Sequence, residues 1–163
     1  MAKKRERRNL NELRSEVEYE QKLLDLARVT RVVSGGKRMR FRACIVIGDR
    51  KGTVGVGIAK GADVSDAINK AVRQAKKSLI KIDLVNETIP HWIKEKYKSA
   101  VVLIRPAGKG KGIVAGGAPR AVLGLVGVKN ATAKMLGASN KINNARATIN
   151  ALTKLKTPSI KNN

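Results

Sequence analysis

The sequence predicts an α+β chain built as two small domains. Three observations lead there. Residues 38–47 alternate with a period of two, the signature of a half-buried strand, and an amphipathic helical stretch follows some twenty residues later. After a polar break at residues 86–90, a second succession of strand, helix, strand and helix begins. The length of 163 residues, 42% of them hydrophobic, is enough for two small cores.

Residues 1–22 are highly charged with few apolar positions and read as a tail. A strand-like run, Leu26 to Val33, ends at Ser34-Gly35-Gly36, where the glycines supply a turn. In residues 38–47, Phe41, Ala43, Ile45 and Ile47 mark a core face, and Arg38, Arg40 and Arg42 an outer row of guanidinium groups. The turn Gly48-Asp49-Arg50-Lys51-Gly52 leads to a third strand, where Val54, Val56 and Ile58 alternate with Gly55 and Gly57. Those glycines suit a bulge or close packing, or else a close approach of an RNA backbone. A helix follows, capped by Asp63 or Ser65, with Asp66 favourable at its positive end. Its buried stripe is expected to be Ile68, Ala71, Val72, Ala75, Leu79 and Ile82, with Lys70, Arg73, Lys77 and Lys81 off it.

Asn86 to Pro90 reads as a linker. The domains are expected at residues 23–86 and 87–157, with a short tail over 158–163. In the second, residues 99–104 form a buried strand closed by Arg105-Pro106. A flexible basic loop, Ala107 to Gly112, and the run Ile113 to Gly117 lead to a helix with Pro119 in its first turn. Lys129 to Leu136 is a further strand. Asn140 caps a last helix with Ile142, Ala145, Ile149 and Leu152 buried, and with Asn143, Asn144, Arg146 and Asn150 off that stripe.

Charge narrows the function. The chain carries 35 Lys plus Arg against 12 Asp plus Glu, a formal net charge of +23. Six of the 12 acids lie within the first 25 residues and none follows Glu95, whereas residues 96–163 hold 13 Lys or Arg. Such self-repulsion is relieved when a polyanion is bound; nucleic acid is the first candidate and an anionic membrane the second. Aromatics are only Tyr19, Phe41, Trp92 and Tyr97. That argues against a stacking platform for single strands and for phosphate and 2′-hydroxyl contacts to structured RNA. The lone Cys44 forms no intramolecular disulfide, which suits a reducing compartment.

The catalytic readings fail on detail. Gly112 and Gly117 have the glycine spacing of a P-loop, but Ala118 and Pro119 follow where Lys and Ser/Thr are needed. No carboxylate stands nearby to hold magnesium, and one Cys with one His (His91) makes no usual zinc site. Lys109 and Lys111 are suited to RNA phosphates. Arg120, a cation in a first helical turn behind two glycines, is unfavourable there unless an anion is near.

Ordered motifs then carry a resemblance. Ser34-Gly-Gly-Lys-Arg-Met-Arg-Phe-Arg-Ala43, Val46-Ile-Gly-Asp49 and Gly52-Thr-Val-Gly-Val-Gly57 resemble the amino-terminal half of the bacterial small-subunit ribosomal protein S-five family. Arg105-Pro-Ala, Gly112-Ile-Val-Ala-Gly-Gly117, Arg120-Ala-Val-Leu, Gly137-Ala-Ser-Asn140 and Arg146-Ala-Thr resemble its carboxy-terminal half. The resemblance implies a double-stranded-RNA-binding-like βββα domain and a βαβα domain of the S-five domain-two type. It implies binding to 16S-type ribosomal RNA where head meets body and support of translational accuracy. It also implies contacts with small-subunit proteins four and eight, a place by the mRNA entry path, and a location in cytoplasmic ribosomes. Val56, Ser65, Lys141-Ile142-Asn143 and the lysines of the 107–112 loop depart from the usual pattern.

The expected rRNA-binding residues are Ser34, Gly35, Gly36, Lys37, Arg38, Arg40, Arg42, Lys60, Lys70, Arg73, Lys77, Asn140, Asn144 and Arg146. Lys109, Lys111 and Arg120 are expected at the mRNA-entry or phosphate loop. No catalytic residue, metal or cofactor is expected. The competing expectations are a small-molecule kinase, whose turnover of ATP would show it, and a free-standing RNA chaperone, which would not sediment with small subunits.

Overall fold

The computed structural model describes residues 19–84 and 87–155. The expected tails, residues 1–18 of the first and all of 158–163, lie outside these, as does Asn86.

The first domain is an antiparallel sheet in the order β1-β2-β3-β4, formed by β1 (Glu20–Val33), β2 (Gly36–Gly48), β3 (Thr53–Gly61) and β4 (Ile80–Lys81). One helix, α1 (Val64–Lys77), lies across it. β1 begins six residues before the expected strand, so positions 20–22 belong to the sheet, and a bulge falls between Leu23 and Asp25. Ala43, Ile45 and Ile47 of β2 pack against Ala67, Ala71 and Ala75 of α1.

That contact is unusually close because β3 presents glycines beneath the alanines. A Cβ at Gly57 would sit 1.9 Å from the Ala71 carbonyl oxygen, and one at Gly55 would sit 2.6 Å from that of Ala75. The glycines of β3 therefore serve helix packing, and α1 covers the side from which an RNA backbone would have to approach. The helix stops at Lys77, shorter than its apolar stripe suggested. Asp63 is the N-cap residue, without a side-chain cap hydrogen bond. Leu79 lies beyond the helix, Ile80–Lys81 return to pair with Thr53–Val54, and Ile82 is buried in the second core.

The second domain contains β5 (Ile93–Tyr97), β6 (Ala100–Pro106), β7 (Ile113–Val114), α2 (Gly117–Val126), β8 (Ala131–Met135) and α3 (Lys141–Thr153). Its sheet runs β5-β6-β8-β7, with only the β7–β8 pair parallel. β5 was not legible in the sequence because Glu95 occupies an inward position; its carboxylate, 14% exposed, is paired with Lys154 at 2.8 Å. The expected linker is tied down. Ile89 is 1% exposed, Lys129 N donates to the Glu87 carbonyl at 2.9 Å, and Thr88 Oγ1 donates to the Asn130 carbonyl at 2.5 Å.

The first sheet is buried on both faces along its inner half. Val46 and Val54 join a core with Val102, Ile104, Val122, Leu123, Val126 and Leu152 of the second domain. Cys44, on the same side as Val46, is fully buried, and burial pushes its thiol up to about 11, so it stays protonated.

Backbone hydrogen bonds fasten the two domains at the 48–52 turn. A helix leaves its last four carbonyls without intrahelical donors. In α2, Gly127 N donates to Gly124 O and Val128 N to Leu123 O, while Arg50 N donates to Leu125 O at 3.0 Å and Gly52 N to Val126 O at 2.8 Å. The first domain thus completes the C-cap of a helix in the second. Asp49 braces the turn: its Oδ1 accepts from Lys51 N at 2.7 Å and Thr53 N at 2.9 Å. Gly127 has φ of 97°, and a Cβ there would lie 2.1 Å from the Arg50 carbonyl oxygen.

Gly57→Ala and Gly127→Ala should each lower stability by about 3 kcal/mol or more, because backbone atoms must move to admit one methyl group. Gly35→Ala, with nothing within 4 Å of the added carbon, should stay within about 0.5 kcal/mol of the parent. Urea unfolding of the three variants checks both statements.

Candidate nucleic-acid interface

The pairing of β2 with β3 ends at Phe41 and Gly61, but β1 and β2 continue together to Val33 and Gly36. The outer part is therefore a two-stranded ribbon projecting past the sheet. Ser34 and Gly35 form its two-residue turn, and Gly36, at φ of 141°, takes a conformation that side chains disfavour.

The ribbon carries Arg28, Arg31, Lys37, Arg38 and Arg40 and no carboxylate. Arg31 and Arg38 are directly opposed across the strands. Like charges in that position are destabilising, and a two-stranded ribbon is marginal by itself. Val32 at its tip is 74% exposed and Met39 is 48% exposed. A concavity of about 440 Å³ runs along the ribbon, lined by Arg31, Arg38, Arg40 and Lys60 with Val29 and Val33 among its apolar walls. The arrangement is a cationic finger that an anion would stabilise.

The structure brings Ser34, Gly35, Gly36, Lys37, Arg38, Arg40 and Lys60 onto this finger or its base. Arg42 departs from the expected outward row. It sits where the second domain begins to cover that face, and its side chain is only 34% exposed. Its guanidinium is paired with Asp25 at 3.3 Å, and its Nε has no partner among the described residues. Arg28 and Arg31 were missed; three residues apart, they project to opposite sides of the ribbon, and only Arg31 shares the side of Arg38 and Arg40.

The remaining candidates lie elsewhere. Lys70, Arg73 and Lys77 are exposed on α1, with Lys70 held by Asp66 at 2.7 Å one turn away. Lys109 and Lys111 are exposed on a loop that is anchored at its end: Gly112 N donates to Asn130 Oδ1 at 3.1 Å. Arg120, in the first turn of α2, donates to the Ile113 carbonyl at 3.4 Å. It lines a cleft of about 400 Å³ between the domains with Lys22, Arg50 and Lys129. The one carboxylate in that lining, Glu20, is bound to Arg50 at 2.5 Å and held below the usual carboxylate range, chiefly by that hydrogen bond.

On α3, Asn140 caps the helix as expected, its Oδ1 accepting from Ile142 N at 3.0 Å and Asn143 N at 3.4 Å. Asn144 is a correction, since it is fully buried. α3 is covered by the sheet, by α2 and by the first domain, so its buried face is wider than one apolar stripe and takes in Asn144 and Thr148. Asn144 Nδ2 donates to the Ala138 carbonyl at 2.8 Å, and Oδ1 has no partner among the described residues. Arg146 is exposed and oriented by Tyr97, to whose hydroxyl it donates at 2.8 Å.

This hydrogen bond favours the phenolate, so Tyr97 should ionise below an ordinary tyrosine, and Arg146→Ala should return it to the ordinary range. An NMR pH titration of the labelled ring measures both.

Residues 19–83 match the family described as Ribosomal protein S5, N-terminal domain, and residues 95–162 match Ribosomal protein S5, C-terminal domain. The chain is 45% identical over 152 residues to the small ribosomal subunit protein uS5c of Emiliania huxleyi, covering 93% of this chain and 96% of that one. It is 43% identical over 158 residues to the small ribosomal subunit protein uS5 of Acaryochloris marina, covering 96% of this chain and 89% of that one.

Proposed function

Because the chain belongs to the ribosomal protein S5 family, a structural and non-enzymatic family of the small ribosomal subunit, we propose that its cationic ribbon seats it on 16S-type ribosomal RNA where head meets body. The observation that carries this reading is the ribbon itself. Two arginines face each other there with no counter-charge, on a hairpin without a third strand. RNA phosphates remove that repulsion and replace the missing strand as a support.

The rest of the surface divides by position. Lys60 extends the ribbon's contact, and Lys70, Arg73 and Lys77 add an outward cationic face. Lys109, Lys111 and Arg120 border the mRNA entry path, with Lys22, Arg50 and Lys129 enlarging the cleft around Arg120. Asn140 and Arg146 offer contacts on α3, whereas Asn144 and Arg42 act by holding the junction that orients them. Small-subunit proteins four and eight are its protein neighbours in this reading. Support of translational accuracy follows from a rigid two-domain body placed between moving parts of the subunit.

Binding to a ribosomal RNA fragment should weaken steeply with salt, and Arg38→Ala and Arg40→Ala should each flatten the logarithmic slope by about one. A filter-binding series over ionic strength measures it; slopes unchanged in both variants would remove the ribbon from the interface. In a sucrose gradient of cell extract the parent chain should migrate almost wholly with small subunits. A mostly free pool would favour the RNA-chaperone reading.

A further inference from the structure

The second sheet has a face that no element of the described structure covers. In β5, Glu95 and Tyr97 turn toward α3, as their contacts with Lys154 and Arg146 show. Lys94 and Lys96 therefore point the other way, and both are exposed. The register carries this side across the sheet: Lys94 pairs with Leu103, which pairs with Lys134, and Arg105 pairs with Thr132. Trp92, one residue before β5, continues the same alternation and falls in the row of Arg105. Its side of the sheet is open, and Trp92 is 64% exposed.

The face holds Lys94, Lys96, Arg105 and Lys134 and no carboxylate, since Glu95 lies beneath the sheet. An acid-free face with four cations selects a polyanion over a protein surface of mixed charge. A solvent-exposed indole among cations offers a base a π-face to stack on and leaves its phosphates within reach of the lysines. Bases in a helix are already stacked, so this chemistry suits an unpaired nucleotide. Composition argued against any aromatic platform; the structure supplies one of a single ring.

We infer that the open face of the second sheet binds a single RNA strand, with Trp92 stacking on an unpaired base and Lys94, Lys96, Arg105 and Lys134 holding the flanking phosphates. It is a surface distinct from the ribbon, and it selects unpaired rather than helical RNA.

Trp92 is the only tryptophan, so the intrinsic fluorescence of the full chain reports this face directly. The probe is a short oligouridylate, titrated into the Arg38→Ala/Arg40→Ala chain so that the ribbon contributes little. Indole emission should be quenched as the oligomer binds, and a duplex of equal phosphate content should quench it far less. By fluorescence anisotropy of a labelled oligomer, Trp92→Ala should weaken binding about tenfold with an unchanged salt slope, the scale of one base stacked on one aromatic ring. Trp92→Phe should restore most of the affinity. Lys94→Gln/Lys134→Gln should flatten the slope by about 1.4, the value for two phosphate contacts to a single strand. Unquenched emission at saturation, or a Trp92→Ala chain that binds as tightly as its parent, overturns the inference and leaves the face to a protein neighbour. A Trp92→Phe chain as weak as Trp92→Ala overturns the stacking role. None of these results bears on the ribbon, whose own test uses a ribosomal RNA fragment and the Arg38 and Arg40 variants.

Discussion

Four carbonyl groups at the end of α2 decide how the molecule is assembled. Two are satisfied by the helix's own reverse turn and two by amides of the 48–52 turn in the other domain. Separating the domains would exchange these two backbone hydrogen bonds for bonds to water, at about 0.5–1.5 kcal/mol each, and would uncover the apolar surface packed behind them. The joint is made of main chain, with glycine at 48 and 127 where side chains would prevent the approach. Apolar burial accompanies it: Val46 and Val54, in the strands that flank the turn, belong to the second core.

Against that rigid centre, the charge is concentrated where structure is thinnest. The ribbon has two strands where the body has four, and it bears cations on both. The compact body tolerates the net charge because its cations stand mostly exposed and several of its acids are paired. Asp25 is shared between Arg42 and Lys141, Glu95 holds Lys154, and Glu20 holds Arg50. The unpaired remainder is the charge left for a polyanion to neutralise.

What the sequence revealed depended on how local the cause was. The β2 alternation and the Asn140 cap were legible because neighbours within a few residues produce them. β5 was not, because its inward Glu95 is made acceptable by Lys154, 59 residues away. The inner half of β2, Ala43 to Ile47, is buried throughout because both its faces meet partners, and one of those partners belongs to the next domain. The same cause drew Arg42 and Asn144 inside. In the candidate interface, Arg38, Arg40 and Lys60 were readable from composition and period, whereas the cleft around Arg120 is assembled from four separate chain segments and has no local signature. Trp92, which the sequence marks as an interface or core anchor, is left out of the core with 64% of its surface exposed.

The ribbon's two-residue turn has an arithmetic consequence. Val33 faces Gly36 and each pair follows in step down to Arg28 and Phe41, so the facing of every cation on the ribbon is set by parity. Insertions or deletions taken symmetrically, two residues from each strand, would lengthen or shorten the finger while keeping its charged side where it is. A change of one residue in one strand would turn the outer arginines of that strand over to the opposite side of the ribbon. Within such a lineage the reach of the finger is free to drift, but only in even steps.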